Sequence, residues 1–292
     1  MAKFGPKEIK KLREMTDAGM MDCKEALKAT DGDMEKAVEW LRKKGLGAAA
    51  KKADKVAAEG VIAIKVDGNK AIMLEINSQT DFVAKNEKFQ KFVDEVVEHV
   101  MANDFNSVEE ILESTINNQP FKEYLALQIA TIGENLVVRR YAKVVSEGSL
   151  GTYVHANKKV GVIVASNQPG LEEQLKNIAM HAAAMNPKYL NEEAVPAEVI
   201  EKEKEIAREQ LLKEGKPENI LEKILPGKIK KFMQENTLEN QKFVMDDKIS
   251  VKDYLKAANK DAKLTDYVRF ELGEGIEKKE EDFAAEVAKQ MA

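Results

Sequence analysis

The sequence predicts an α+β protein with a helical N-terminal domain, a two-part core and an inserted pair of helices. Three observations lead to this class. Apolar residues follow a helical period up to about residue 44, change to an alternating strand period near residue 60, and alternate again near residue 150. A length of 292 residues, with 43% of them apolar, is enough for about two packed domains.

The first domain is predicted to be a bundle of three short helices. Pro6 suits the first position of a helix, while Asp17-Ala18-Gly19 and Asp31-Gly32-Asp33 end the first and second helices. Residues 45–58, rich in glycine, alanine and lysine, are typical of a linker with some helical character. The apolar set of this compact module is Ile9, Leu12, Met20, Met21, Ala26, Leu27, Ala37, Val38 and Leu41, with Trp40 beside them.

A β-hairpin and a covering helix are predicted next. Apolar residues alternate along 62–66 and along 72–76, and Asp67-Gly68 between them would supply the positive φ angles of a tight turn. The apolar residues from Phe89 to Val100 then recur at helical spacing. Their stripe could cover the inner face of the hairpin.

The same layout of strand, turn, strand and helix recurs in the second half of the core. A helix around 121–131 and a strand over 136–145 complete the first half. A strand ending near His155, a strand at 160–164 and a helix over 171–182 then follow. This order predicts two duplicated units of an α+β core.

An antiparallel helical hairpin is predicted to interrupt the second unit. Residues 196–234 have a charged, helical composition that is broken only by Gly215-Lys216-Pro217. Each arm carries one narrow apolar seam, which is typical of paired helices. The seams are Val199, Ile206 and Leu211 on the first arm and Ile220, Ile224, Ile229 and Met233 on the second. They could pair within one chain or between two, so homodimerisation through this hairpin stays open.

The last part of the chain is predicted to return to the core and then to end as a helix. Core-like residues recur at 243–245 and 268–272, and the tail over 273–292 has the pattern of an acidic amphipathic helix with Phe283, Val287 and Met291 on one side. The predicted domains are 1–54 for the three helices and linker, 55–141 for the first core half, 142–187 with 237–271 for the second, 188–236 for the hairpin insertion, and 272–292 for a helical C-terminal module.

Composition excludes several classes of function. Lysine and arginine number 46 against 51 aspartates and glutamates, which gives a net charge of −5 and disfavours direct binding of nucleic acid. The apolar runs are far shorter than the ~20 residues that cross a bilayer, so no membrane contact is expected. The first eleven residues lack the apolar stretch of a secretory signal, and the single cysteine excludes an internal disulfide framework. We therefore expect a cytoplasmic protein.

Reactive side chains are few, which argues against an enzyme. No phosphate-binding loop, dinucleotide fingerprint, nucleophile elbow or metal-ligand spacing occurs, so neither a cofactor nor a metal is predicted. Cys23 is expected to be a buried, inert thiol, His181 a core histidine and His99 an exposed surface residue. His155 could be a strand-end residue or a contact residue. The lysine-rich segment 43–55 is expected to be a solvated connector rather than a phosphate contact.

One polar loop departs from the core pattern. Residues 77–86 follow the second strand directly and hold an aromatic side chain among capping residues. Residue types alone favour the simpler interpretation, in which Thr80 or Asp81 caps the next helix and Phe82 is a hydrophobic staple. The alternative is a binding loop that presents Asp81 and Phe82 on a rigid corner as a probe for a partner.

Two long strings resemble the elongation factor Ts family of bacteria. They are LREMTDAGMMDCKEAL at 12–27 and EINSQTDFVAK at 75–85, and shorter strings at 132–135, 230–232 and 269–277 add to the resemblance, which covers the whole chain. The family resemblance implies an N-terminal domain like the ubiquitin-associated fold, followed by the two-part core, the coiled-coil insertion and the C-terminal module.

The resemblance also implies a function and a set of contact residues. Members of this family are guanine-nucleotide exchange factors for elongation factor Tu, without catalytic residues of their own. The implied contacts with the partner are Leu12, Met20 and Met21 to its GTPase domain, Thr80, Asp81, Phe82 and Val83 at the intruding corner, and His155 in the second core half. Asp81 and Phe82 would displace the partner's Mg²⁺. The main alternative is an adaptor that recruits proteins without nucleotide exchange, and a nucleic-acid-binding protein is a third.

Overall fold

A computed structural model describes residues 4–16 and 18–277. Among these residues, helices and strands are mixed along the chain as the α+β prediction expects. They form two compact units, of which the first comprises 4–61, 74–141 and 271–277, and the second comprises 62–73 and 142–270. The amphipathic helix predicted in the tail falls mainly outside the described residues, and the domain boundaries given above stay predictions.

The N-terminal segment forms three helices, α1 (Pro6–Thr16), α2 (Met20–Ala29) and α3 (Met34–Lys52). Their shared core is fully or nearly fully buried and consists of Leu12, Ala18, Cys23, Ala26, Leu27, Ala37 and Leu41, joined by Leu127 from a later helix. Asp33 caps α3 by accepting a hydrogen bond from the Lys36 amide at 3.1 Å.

The predicted linker, residues 45–58 with some helical character, is helical up to Lys52, where α3 ends. Gly45 is buried against the helix Phe121–Ile132, and a Cβ on Gly45 would lie 3.1 Å from Leu127 Cδ2. Close packing of the two helices therefore outweighs the ~1 kcal/mol by which glycine disfavours a helix interior. Arg42 and Glu123 add an ion pair of 2.7 Å across the same contact.

The first half of the core begins with the predicted hairpin and helix. Its elements are β1 (Glu59–Asp67), β2 (Lys70–Ser78), the single-turn helix α4 (Asp81–Ala84) and α5 (Glu87–Ala102). The turn lies one residue later than predicted, since Asp67 still belongs to β1 and only Gly68 adopts a positive φ, of 57°. The apolar stripe of α5 is buried from Phe89 to Met101.

Between the two predicted helices of this half lie elements that the sequence analysis did not predict. They are α6 (Val108–Glu113), β3 (Thr115–Ile116) and β4 (Gln119–Pro120), followed by α7 (Phe121–Ile132) and β5 (Val137–Val145). Ser107 caps α6, and Asn117 and Asn118 form the turn between β3 and β4 at positive φ. The larger sheet has the strand order β1-β2-β5.

The second half repeats this arrangement. Its first elements are β6 (Ser149–Val154), β7 (Val160–Ser166) and α8 (Glu172–Met185), and β6 pairs with β7 in antiparallel register. After the helical hairpin, α9 (Ala197–Lys213) and α10 (Glu218–Asn236), come β8 (Lys242–Phe243), β9 (Asp246–Ser250), α11 (Val251–Ala258) and β10 (Leu264–Glu271). The sheet order is β6-β7-β10, so in both halves a third strand lies beside the second strand of a hairpin.

The helical hairpin is present, and Leu211 and Met233 are buried in its apolar seam as predicted, but other seam positions differ. Ile206 and Ile220 are 40% and 39% exposed. The buried seam is Ala207 and Leu211 on α9 and Leu221, Leu225 and Met233 on α10. Spacings of four and eight residues place this set on one face of each helix, one position away from Ile206 and Ile220.

A smaller correction concerns residues 243–245. Phe243 is buried at the end of β8, but Val244 and Met245 are 51% and 55% exposed in the turn before β9. The predicted strand is therefore a short hairpin whose tip is apolar and exposed. No helix within residues 4–16 and 18–277 is long and apolar enough to cross a membrane.

Candidate functional site

The loop after β2 is a sharp corner built from two consecutive helix caps. Thr80 is the cap of α4 and accepts a hydrogen bond from the Val83 amide at 3.3 Å. Asn86 caps α5 and accepts from the Lys88 amide at 2.9 Å. The capping role predicted for Thr80 is thus confirmed. Because each cap fixes the entry of the chain into a helix, the single turn of α4 is held between two defined ends.

The backbone of this corner is also held by Glu134, which lies in the short segment between α7 and β5. Its Oε2 accepts hydrogen bonds from the amides of Gln79 and Thr80, both at 3.0 Å, and its Oε1 accepts from Thr80 Oγ1 at 2.6 Å. Gln79 Oε1 in turn accepts from the Asn135 amide at 2.7 Å. Hydrogen bonds to a carboxylate are stronger than neutral ones, so this brace makes the corner rigid.

Sequence reasoning did not assign a role to Glu134. The residue lies 54 positions from Thr80 in the chain, and no local pattern joins the two. The available signal was the string at 132–135, which resembles the family but had no function attached to it. Gly133 ends α7 with a positive φ of 91° and directs the following residues towards the corner.

Phe82 projects from the corner into solvent. Its side chain is 81% exposed, the largest value among the exposed large apolar residues that the structure describes. The hydrophobic-staple interpretation of Phe82 is therefore wrong, since a staple packs its ring against the helix that follows. Val83 is half-buried, and Asp81 is half-buried with its Oδ2 2.8 Å from Lys85 Nζ. An exposed phenylalanine on a rigid support is typical of a protein-binding surface.

A second exposed apolar surface lies at the start of α2. Met20 and Met21 are 60% and 66% exposed. Leu12, which the resemblance implied as a third contact residue, is fully buried beneath them in the three-helix core. Met20 also lines a groove of about 310 Å³ whose other walls include Arg13 of α1 and Lys88 of α5. The groove places the start of α2 across from α5, the helix that follows the corner.

His155 lies at the end of β6, in the second compact unit. Its ring is exposed, and its Nδ1 is 2.9 Å from the hydroxyl of Tyr153. The strand-end position agrees with the sequence analysis. Both interpretations of this residue, strand end and contact residue, are compatible with its exposure.

The remaining candidate groups are structural. His181 is fully buried, its Nε2 lies 2.8 Å from Gln241 Oε1, its Nδ1 accepts from the Val244 amide, and burial lowers its pKa. Cys23 is a buried thiol whose pKa is raised by burial. Both residues are as predicted.

The prediction that His99 is plain surface is wrong. Its Nε2 lies 2.7 Å from Ser114 Oγ, and its ring packs near Phe105 and Phe121. Partial burial lowers its pKa. Phe105 and Ser114, which contact it, lie just before α6 and at its C-terminal end, in a segment for which no element was predicted. Within the described part of the chain, no three histidine, cysteine or acidic side chains come together as metal ligands.

The fold and the corner define a class, an α+β protein that exposes a phenylalanine on a corner held by hydrogen bonds. Comparison with known proteins specifies this class further. The family model for elongation factor Ts matches residues 79–274, two thirds of the chain, and the matched segment begins at the corner itself.

Similar proteins span the whole chain. Elongation factor Ts of Nitratiruptor sp. is 57% identical, with 97% of this chain and 98% of that protein covered. The Sulfurovum sp. factor is 49% identical with complete coverage of both chains, and the Helicobacter pylori factor is 44% identical with 97% and 98% covered. The chain belongs to the elongation factor Ts family and is a bacterial translation elongation factor.

Proposed function

We propose that this protein binds the GDP form of elongation factor Tu and promotes release of GDP. The observation that carries the proposal is the corner: Phe82 is 81% exposed on a turn that two caps and Glu134 hold in place. A side chain of this size gains most from insertion into another protein, since the described part of its own chain leaves it 81% exposed. Family membership supports elongation factor Tu as the partner, because the elongation factor Ts family name implies exchange factors that act on it.

The proposed mechanism removes contacts of GDP without any covalent step. A GTPase holds GDP through backbone amides and a Mg²⁺ ion that together satisfy the phosphate charge. Insertion of Phe82 between partner helices would shift the elements that hold the Mg²⁺ ion. Asp81, now paired with Lys85, would exchange this ion pair for polar groups of the partner. No catalytic residue and no cofactor of this chain is needed.

Thermodynamic linkage makes the effects of GDP and of the factor on each other's binding equal. Because free energies of binding are state functions, GDP must weaken binding of the factor as much as the factor weakens binding of GDP. A coupling of ~4 to 6 kcal/mol corresponds to about three to four orders of magnitude in affinity. Binding of GTP then displaces the factor, which is not consumed.

Other surfaces would supply binding energy for this distortion. Met20 and Met21 expose flexible apolar side chains that suit an adaptable contact with the partner's GTPase domain. Leu12, buried beneath them, would act by supporting the start of α2. Thr80 and Val83 belong to the corner itself, and we assign His155 to a separate contact of the second unit. The C-terminal module would add a further contact, and the reaction would take place in the cytoplasm.

The test is to mix the protein with elongation factor Tu loaded with a fluorescent GDP analogue and to follow release by stopped flow. We expect saturating protein to accelerate release by at least two orders of magnitude, without nucleic acid or membrane. Complex formation in gel filtration without faster release would contradict exchange and favour the adaptor alternative. No complex at all would contradict both functions.

A further inference from the structure

A groove in the first compact unit is bordered by polar groups that lack a partner among the described residues. It has a volume of about 310 Å³ and lies between the start of α2 and the helices α5 and α7. We call it the α2–α5 groove. The polar character of its wall comes mainly from Arg13, Gly19, Lys88 and Gln128.

One of these groups is a buried side-chain amide. Gln128 lies in α7, is only 7% exposed and lines the groove. Within the ranges 4–16 and 18–277, no residue donates a hydrogen bond to its amide or accepts one from it. A buried polar group without a hydrogen bond costs free energy. This amide would therefore gain from a ligand that enters the groove and bonds to it.

The start of α2 offers further donors to the same groove. Its cap is Gly19, which has no side chain to accept from the first amides of the helix, and both Gly19 and Met20 line the groove. Free amides and the helix dipole favour a negative charge at such an end. Asp22 in the first turn is itself negative, but Lys44 Nζ lies 2.7 Å from its Oδ1 and compensates that charge.

Two exposed cations border the groove without an ion pair. They are Arg13 of α1 and Lys88 of α5, and neither has a carboxylate partner in the described part of the chain. A third cation, Lys91, lies 3.4 Å from Glu95 Oε1. Glu95 is the only acid among the described lining residues. Three cations against one carboxylate leave the lining with an excess of two positive charges, which favours an anionic ligand.

We propose that the α2–α5 groove is a binding site for a small molecule that carries a phosphate monoester. A phosphate of this kind has about −1.5 to −2 charge at pH 7 and three strong acceptor oxygens. The charge matches the excess positive charge of the lining. The three oxygens suit donors that reach the groove from four helices, α1, α2, α5 and α7, whereas a carboxylate has only two oxygens. The binding site is independent of the proposed exchange function.

The rest of the lining limits what the phosphate is attached to. Phe92 and Tyr124 border the groove, and the flexible side chain of Met20 lies at its edge. The volume is at the lower end of the range for sites that hold small molecules. A compact phosphate ester with one apolar ring therefore fits better than a long or highly polar molecule.

The test uses the full chain with ¹³C-labelled methionine methyl groups and phenyl phosphate as the probe, at constant ionic strength. Benzoate has the same ring with a carboxylate, and inorganic phosphate lacks the ring. We expect a saturable shift of the Met20 methyl resonance with a Kd below about 1 mM for phenyl phosphate, and a Kd at least about tenfold higher for the other two probes. Met185, which is also exposed but lies in the second unit, should not shift.

Three variants test the assigned donors. Arg13→Gln and Lys88→Gln should each raise the Kd for phenyl phosphate about tenfold, because each removes a charged hydrogen-bond donor. Gln128→Leu should raise it about fivefold without lowering the unfolding temperature, since the amide has no partner to lose. Lys28→Gln is the matched control: it removes the same charge from the opposite end of α2 and should change the Kd less than about twofold.

Several results would overturn the inference. They are the absence of a saturable Met20 shift up to about 10 mM phenyl phosphate, an equal Kd for benzoate, or an equal loss in Lys28→Gln, which would indicate general charge attraction. An unchanged Kd in a folded Gln128→Leu would also overturn it. Arg13 and Lys88 are exposed, so their variants keep the fold and decide the question even if Gln128→Leu is unfolded.

Discussion

Replacement of Phe82 by alanine tests the corner most directly. Full burial of a phenylalanine side chain contributes about 1.5 to 3 kcal/mol, and 81% of this side chain is available for burial in a complex. The ring can therefore contribute about 1.2 to 2.4 kcal/mol to the state in which it is inserted. If insertion occurs mainly in the distorted state, this energy corresponds to about an 8- to 60-fold slower maximal GDP release.

The assay is stopped-flow release of a fluorescent GDP analogue at saturating factor, with the affinity of the complex measured in parallel. We expect Phe82→Ala to lower the maximal rate of GDP release within this range. The affinity of the complex should fall by a smaller factor than the maximal rate. Because the ring is exposed in the free protein, the free energy of unfolding should change by less than about 0.5 kcal/mol. Leu212→Ala is the matched control, since this apolar side chain on α9 is 45% exposed and remote in sequence from the corner.

An unchanged maximal rate for Phe82→Ala would refute the wedge mechanism. A loss of affinity that equals the loss of rate would also count against it, because it would show that Phe82 stabilises the complex with and without distortion alike. A similar loss for Leu212→Ala would show that the effect is not specific to the corner.

Three further predictions concern the brace, the hairpin and a buried histidine. Glu134→Ala leaves the donors of Gln79 and Thr80 without their acceptor, so we expect the free energy of urea unfolding to fall by about 1 to 3 kcal/mol and GDP release to become slower. Glu134→Gln should be less affected in both. An unchanged rate of GDP release for a destabilised Glu134→Ala would contradict the brace. Replacement of 197–235 by a short glycine-serine linker should keep most of the exchange activity, and complete loss from a folded variant would contradict this. Burial lowers the pKa of His181 in the folded chain below its value in the unfolded chain. The contribution of the neutral imidazole to the free energy of unfolding is therefore present above pH ~6.5 and is lost as pH falls, by at most about 1.4 kcal/mol per pH unit. Chemical unfolding at pH 7 and 5.5 should show a smaller loss of unfolding free energy for His181→Asn than for the unmodified chain.

The sequence predicted those parts of the fold that depend on local patterns. Alternation along β1 and β2 and the helical stripe of α5 were sufficient, since each has a clear period and buries one face. The extent of α3 was predictable only in part: alanines and lysines at 48–52 favour a helix, whereas glycines at 45 and 47 disfavour a helix interior until α7 is packed against Gly45. The hairpin seam was displaced by one position for a related reason: charged helices carry extra apolar residues such as Ile206, and only the partner helix decides which face is buried.

The site was predictable only where it is contiguous in sequence. Thr80 was recognised as a cap because capping depends on residues three positions apart. The residues next to Phe82 in sequence could not show that its ring is exposed, because the same residues are compatible with a hydrophobic staple whose ring is packed. The bracing role of Glu134 escaped notice because Glu134 lies 54 positions from Thr80 in the chain.

Rigidity of the corner is what allows one phenylalanine to act as a probe. Ordering a flexible backbone costs about 1 to 2 kcal/mol per residue, or about 4 to 8 kcal/mol for residues 79–82. This cost exceeds the ~2 kcal/mol that insertion of Phe82 can contribute, so a flexible loop of the same sequence would gain nothing from insertion. The caps at Thr80 and Asn86 and the carboxylate of Glu134 fix the corner during folding, before a partner arrives. Residues that do not touch the partner would therefore decide whether Phe82 can be inserted into it. For this reason we expect the loss of Glu134 to slow exchange on the same scale as the loss of Phe82.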